Sequence, residues 1–132
     1  MTIQYGKPIY RLAVTNDSSM VIAGSHKGAI VVWEVMKGVR VHTLKEAHTR
    51  TIYGLSLTKN EDHLLSASED KTIKMWRMKD GQCVASWKGL DGFRCVTLNR
   101  DDSRFFTGSF GNAIDIRCNS SPTAHLKLCL EI

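Results

Sequence analysis

Hydrophobic and polar residues alternate with a period of two along most of this chain. Blocks of five or six residues rich in Val, Ile, Leu and Phe are separated by clusters of Asn, Asp, Ser and Gly. That is the pattern of half-buried strands joined by tight turns. It predicts Ile9–Val14, Met20–Ser25, Ala29–Glu34 and Val39–Leu44 as strands, followed by Ile52–Leu57, His63–Ser68, Thr72–Arg77 and Cys83–Trp87. A third group follows as Phe93–Leu98, Arg104–Ser109, Ala113–Cys118 and His125–Leu130. Neighbours such as Val31-Val32 and Phe105-Phe106 favour pleated backbone over helix.

The three groups are copies of one unit. Ile9, Leu12, Val14, Ile22, Gly24, Ser25, Ile30 and Leu44 recur 43 positions later as Ile52, Leu55, Leu57, Leu65, Ala67, Ser68, Ile73 and Trp87. They recur again 41 positions on as Phe93, Val96, Leu98, Phe106, Gly108, Ser109, Ile114 and Leu128. Turn residues repeat as well: Asn16-Asp17-Ser18-Ser19, Asn60-Glu61-Asp62 and Asp101-Asp102-Ser103 sit at matching offsets, and Gly38, Gly81 and Pro122 share another. Asx and Ser side chains bond local backbone in such turns, and Gly supplies positive φ. Units of this length cannot bury both faces alone, so the fold comes from stacking them.

At this point the residues resemble a known family. Leu64-Leu65-Ser66-Ala67-Ser68-Glu69-Asp70-Lys71-Thr72-Ile73-Lys74-Met75-Trp76 is similar to the core of a WD40 repeat, and so is Val21 through Trp33. The resemblance implies an all-β fold, a partial β-propeller of three four-stranded antiparallel WD40 blades. The whole chain, 1–132, would be one repeat domain, with blades at about 8–46, 47–88 and 89–131. It also implies a buried polar tetrad of His48, Ser66, Asp70 and Trp76. The first copy has Ala23 and Lys27 at the Ser66 and Asp70 positions. The third has Thr107, Gly111 and Arg117 at those of Ser66, Asp70 and Trp76. The second blade is therefore expected to be the best ordered. A His-Ser-Asp set also invites a catalytic reading. Ser66, however, lies inside an alternating strand with no nucleophile elbow around it, so the structural role is preferred and no enzyme activity is expected.

Three blades fall short of the roughly 4–8 that close a propeller. The outer blades are expected to present uncovered faces carrying residues such as Ile30, Val31, Phe105 and Phe106, which further blades, a second copy or another chain would cover. The loops before each first strand, and those between second and third strands, form one rim. On it Arg50, Tyr53, Glu69, Lys71, Arg94 and Phe110 are the candidate partner-binding residues, because Arg, Tyr and Phe tend to anchor interfaces. Phe110 stands where the other copies have His26 and Glu69, an aromatic in a polar loop position.

Composition changes this picture little. Hydrophobic residues make up 42% and charged residues 23%, as in folded soluble domains. No apolar run approaches the ~18 residues of a membrane span, and the N-terminus shows no secretory pattern, so the cytoplasm or nucleus is expected. Cys83, Cys95, Cys118 and Cys129 form no C-x-x-C pair, which argues against zinc. They are read as reduced, and no cofactor is called for. The formal charge of +5 is scattered. The function expected is a non-catalytic scaffold binding other proteins or peptides. An RNA or ribonucleoprotein platform is the second reading, and a truncated piece of a longer propeller without its own role the third.

Overall fold

The computed structural model describes residues 1–44 and 47–119. Eleven strands follow in order: β1 (Ile9–Val14), β2 (Met20–Ser25), β3 (Ile30–Glu34), β4 (Val39–Leu44), β5 (Ile52–Leu57), β6 (His63–Ser68), β7 (Thr72–Arg77), β8 (Cys83–Lys88), β9 (Phe93–Leu98), β10 (Arg104–Ser109) and β11 (Ile114–Cys118). They form three antiparallel meander sheets, β1-β2-β3-β4, β5-β6-β7-β8 and β9-β10-β11. The expected strand His125–Leu130 lies outside the described residues, as does Glu46. No helix occurs among the described residues.

Two strand starts differ from expectation. Ala29 and Ala113 belong to the turns before β3 and β11. The Ala29 N–H donates to Ser25 Oγ (3.1 Å) and the Ala113 N–H to Ser109 Oγ (3.2 Å), while their carbonyls accept the Ser25 and Ser109 N–H groups (3.0 Å each). These bonds close the turn and leave the ladder to begin one residue later. At its other end β8 runs through Lys88, one residue past the expected stop.

Equivalent turns use equivalent chemistry. The Ser19, Asp62 and Ser103 N–H groups donate to Asp17 Oδ1, Asn60 Oδ1 and Asp101 Oδ1 at 2.9, 3.2 and 3.0 Å. Ser18, Glu61 and Asp102 then adopt positive φ of 60–63°. Glu61 and Asp102 also staple neighbouring sheets. Glu61 Oε2 accepts the Asn16 N–H (2.8 Å) and Asp102 Oδ2 accepts the Lys59 N–H (2.6 Å).

The period of two becomes two inter-sheet cores. Ile22, Ile30 and Val32 of the first sheet pack with Ile52, Leu55, Leu64 and Trp76 of the second. The next residues along, Leu65, Ala67, Ile73 and Met75, face the third sheet and pack with Trp87, Phe93, Val96 and Phe105. Each fully buried large side chain contributes about 1.5–3 kcal/mol. The inner strands approach tightly at Gly54, where an added Cβ would stand 2.9 Å from the Val96 backbone nitrogen.

The outer faces differ from expectation. Ile30, Val31 and Phe105 are all fully buried. Ile30 and Phe105 point toward the second sheet, and Val31 lies beneath the N-terminal segment. Ile3 and Tyr5 of that segment pack on Ala23, Val31 and Trp33. Tyr5 meets Trp33 edge-on at 5.6 Å, and the Arg40 guanidinium lies 5.5 and 5.8 Å from the two ring centres. The cover is partial, since Leu12 and Val14 remain 56% and 53% exposed. On the far side of the third sheet Ile114 is 79% exposed, and Phe106 is half-buried. Cys83 and Cys95 carry free thiols.

Candidate functional site

A buried polar network sets the frame of the second sheet. His48 Nδ1–H donates to Asp70 Oδ2 (2.9 Å), and the Ser66 hydroxyl donates to His48 Nε2 (2.6 Å). The Trp76 indole N–H donates to Ser66 Oγ (2.8 Å). Only the tautomer with the proton on Nδ1 satisfies both ring nitrogens in this arrangement. Asp70 also accepts the Thr49 N–H (3.1 Å), the Thr72 N–H (2.9 Å) and the Thr72 hydroxyl (2.5 Å). Burial opposes its ionisation, but the bonds from His48, Thr72 and Thr49 win and hold its carboxyl far below the usual carboxylate range. Ser66 and His48 are 0% and 1% exposed. Their hydroxyl and imidazole are enclosed, and their hydrogen bonds tie β6 and β7 to the loop before β5. The network reaches the first sheet through the His48 N–H, which donates to Gly28 O at 2.9 Å. Gly28 has φ of +85°, and a Cβ there would collide with the His48 carbonyl oxygen.

In the third sheet a ring and a carboxylate fill the equivalent places. The Phe93 ring occupies the space that a side chain at position 89 would need, and the Asp91 carboxylate fills that of position 111. Among the described residues the Thr107 hydroxyl has no hydrogen-bond partner, although Thr107 is 2% exposed. Nearby, Asp91, Asp115 and Arg117 border an open cleft of about 380 Å³.

The rim above these networks is built by three β-bulges. In β1 the pairing passes from Ile9↔Ser25 to Arg11↔Gly24, so Tyr10 is the extra residue. Tyr53 and Arg94 are the extra residues in β5 and β9. A bulge turns its side chain out of the pleat, and here all three turn to the same rim. The result is a row of rings across all three sheets. Tyr10 and Tyr53 lie 5.6 Å apart edge-on, and Tyr53 and Phe110 likewise 5.6 Å. His26 extends the row at 5.8 Å from Tyr10. The Arg94 guanidinium closes it, 4.3 Å from the centre of the Phe110 ring.

Of the expected partner-binding residues, Tyr53, Arg94 and Phe110 meet in this row. Arg50 and Glu69 form an exposed ion pair of 3.4 Å on the same rim. Lys71 occupies the β6–β7 turn with φ of +73°, and its side chain takes no part in the row. Tyr10 was absent from the candidates. Its offset in the repeat, the same as that of Tyr53 and Arg94, was the available signal.

Sheets stacked face to face with their first strands innermost define a segment of β-propeller. The chain belongs to the WD40 family: the model described as "WD domain, G-beta repeat" matches residues 2–34 and 38–77. Among curated relatives, autophagy-related protein 16 of Arabidopsis thaliana is 32% identical over 101 residues, 76% of this chain and 20% of that protein. Eukaryotic translation initiation factor 3 subunit I of Saccharomyces cerevisiae is 29% identical over 82 residues, 62% of this chain and 23% of that protein. The β-propeller domain of Cps50 (Swd1) from Myceliophteria thermophila superposes with a TM-score of 0.85 at 18% identity, covering 93% of this chain and 39% of that one. The RRP9 WD40 repeats give 0.82 at 19%, covering 88% and 37%. This chain thus spans about a fifth to a quarter of these two relatives and under two fifths of the two solved propellers.

Proposed function

We propose that the chain is a non-catalytic protein-interaction scaffold that docks peptides or loops of partner proteins on the rim formed by Tyr10, Tyr53, Arg94 and Phe110. The ring row supports this reading most. Tyr10 and Phe110 are 50% and 40% exposed, and aromatic and Arg residues grouped in this way are the usual anchors of interfaces. Family membership supports the coarser half, since WD40 propellers generally serve as scaffolds. One relative is by name a subunit of a larger factor. The His48-Ser66-Asp70 set braces the rim and does no chemistry in this reading. The exposed apolar outer faces call for cover by further blades or by self-association. The compartment is the cytoplasm or nucleus, on the sequence expectation alone.

Affinity capture with the intact chain, paired with its mass in solution, tests the proposal. Tyr53→Ala and Phe110→Ala should each lose interactors that Lys79→Ala, on the opposite rim, keeps. Interactors that survive both rim substitutions would sink the assignment of this rim.

A further inference from the structure

The rim's chemistry narrows the kind of segment it can take, granted the scaffold reading above. Arg94 is the informative residue. Arg50 is paired with Glu69, Arg77 with Asp80, and Lys37 with Glu34. Arg94 is held on the face of Phe110 at 4.3 Å, and among the described residues nothing accepts a hydrogen bond from its guanidinium. A stacked guanidinium keeps its N–H edge free. That edge matches a carboxylate through two parallel bonds. The same stacking excludes a cationic ligand from Phe110, because a cation already occupies that ring face. Tyr10, Tyr53 and Phe110 meet edge-on in succession, each ring against the next.

Spacing supplies the second constraint. The rings step by 5.6 Å. Side chains on one face of an extended peptide recur every ~6.6 Å. An extended segment laid along the row can therefore seat a carboxylate at Arg94 and apolar side chains at alternate positions beyond it, over Tyr53 and Tyr10. The charges around the row agree with an acidic occupant. Among the described residues of these loops, Arg50 is offset by Glu69 and Asp70 is held by His48, which leaves Lys27, Lys71 and Arg94 against Asp91.

The geometry points to an extended acidic segment of a partner protein as the occupant of this rim, with an Asp or Glu carboxylate clamped by Arg94 and apolar residues at alternate positions on Tyr53 and Tyr10. The test uses the full chain and a short fluorescein-labelled peptide in which Asp is followed by Leu at alternate positions. Its Asp→Asn version, a phosphoserine version and a labelled RNA oligomer are the comparison probes. The Asp peptide should bind roughly tenfold or more tightly than the Asn peptide. Arg94→Gln should erase that difference, while Arg94→Lys should retain part of it. Equal binding of the Asp and Asn peptides, no binding of either, or preference for the phosphoserine or RNA probe would each overturn the inference. If captured interactors still depend on Tyr53 and Phe110 while the Asp peptide shows no preference, the scaffold reading stands and only the acidic occupant falls.

Discussion

The indole nitrogen of Trp76 and the hydroxyl of Ser66 lie 2.8 Å apart inside the second sheet, and Ser66 is fully buried. The hydroxyl accepts from the indole and donates to His48, so it is the middle of a relay that water does not reach. Replacing Ser66 by Ala orphans both neighbours at once. We expect a loss of about 1–3 kcal/mol, measured by urea denaturation. A double-mutant cycle with Trp76→Phe should show that the two losses do not add. Additive losses would mean that the relay is not a unit.

The equivalent hydroxyl in the third sheet should behave in the opposite way. Thr107 Oγ1 is buried without a partner among the described residues, so removing it at constant shape relieves a desolvation cost. Thr107→Val is expected to be neutral or to raise stability by about 1 kcal/mol. A clear loss in the melting temperature would contradict the assignment.

Asp70 ties stability to acid. Burial alone would raise its pKa, but the bonds from His48, Thr72 and Thr49 lower it well below its ordinary 3.8. A carboxyl depressed on folding contributes stability that is fully present above the unfolded value and is lost as pH falls toward and through the folded one. Stability should therefore drop as pH goes below about 4. Asp70→Asn should be less stable at neutral pH and show a flatter decline on acidification. Equal slopes in the two proteins, followed by circular dichroism, would remove the linkage.

Gly54 lets the inner strands of the second and third sheets touch. Gly54→Ala would place a methyl 2.9 Å from the Val96 nitrogen and 3.1 Å from the Ala67 methyl. A cost of about 1–3 kcal/mol is expected from overpacking. Amide hydrogen exchange should show the third sheet loosening first.

The N-terminal segment is predicted to act as a partial cover. Tyr5→Ala removes the ring that lies against Trp33 and under Arg40. Stability should fall by about 1–2 kcal/mol, and Trp33 fluorescence should report greater exposure. An unchanged melt and spectrum would mean that the segment does not hold that face.

Strand positions and the three-sheet plan were legible because alternation and turn chemistry are local. Asp17, Asn60 and Asp101 bond backbone two residues away, so their neighbours alone decide those turns. The rim was legible in part. Tyr53, Arg94 and Phe110 could be listed as exposed candidates, but their contact with one another could not. Residues 53 and 110 are far apart in the chain and meet only because the sheets stack. Covering Val31 with Ile3 and Tyr5 was not legible either, since those residues lie outside the repeat and carry no periodic signal.

By itself, then, the order of residues determined which segments pleat, where they turn, and which face of each strand is apolar. Those properties follow from steric and hydrogen-bonding preferences over a few neighbouring residues. Tertiary structure alone decided that three bulges aim Tyr10, Tyr53 and Arg94 at one rim, that the Phe93 ring fills the space at position 89 in the third sheet, and that the N-terminal segment folds back over Trp33. Each of these depends on distances between side chains set by how whole sheets pack, and no local preference encodes them.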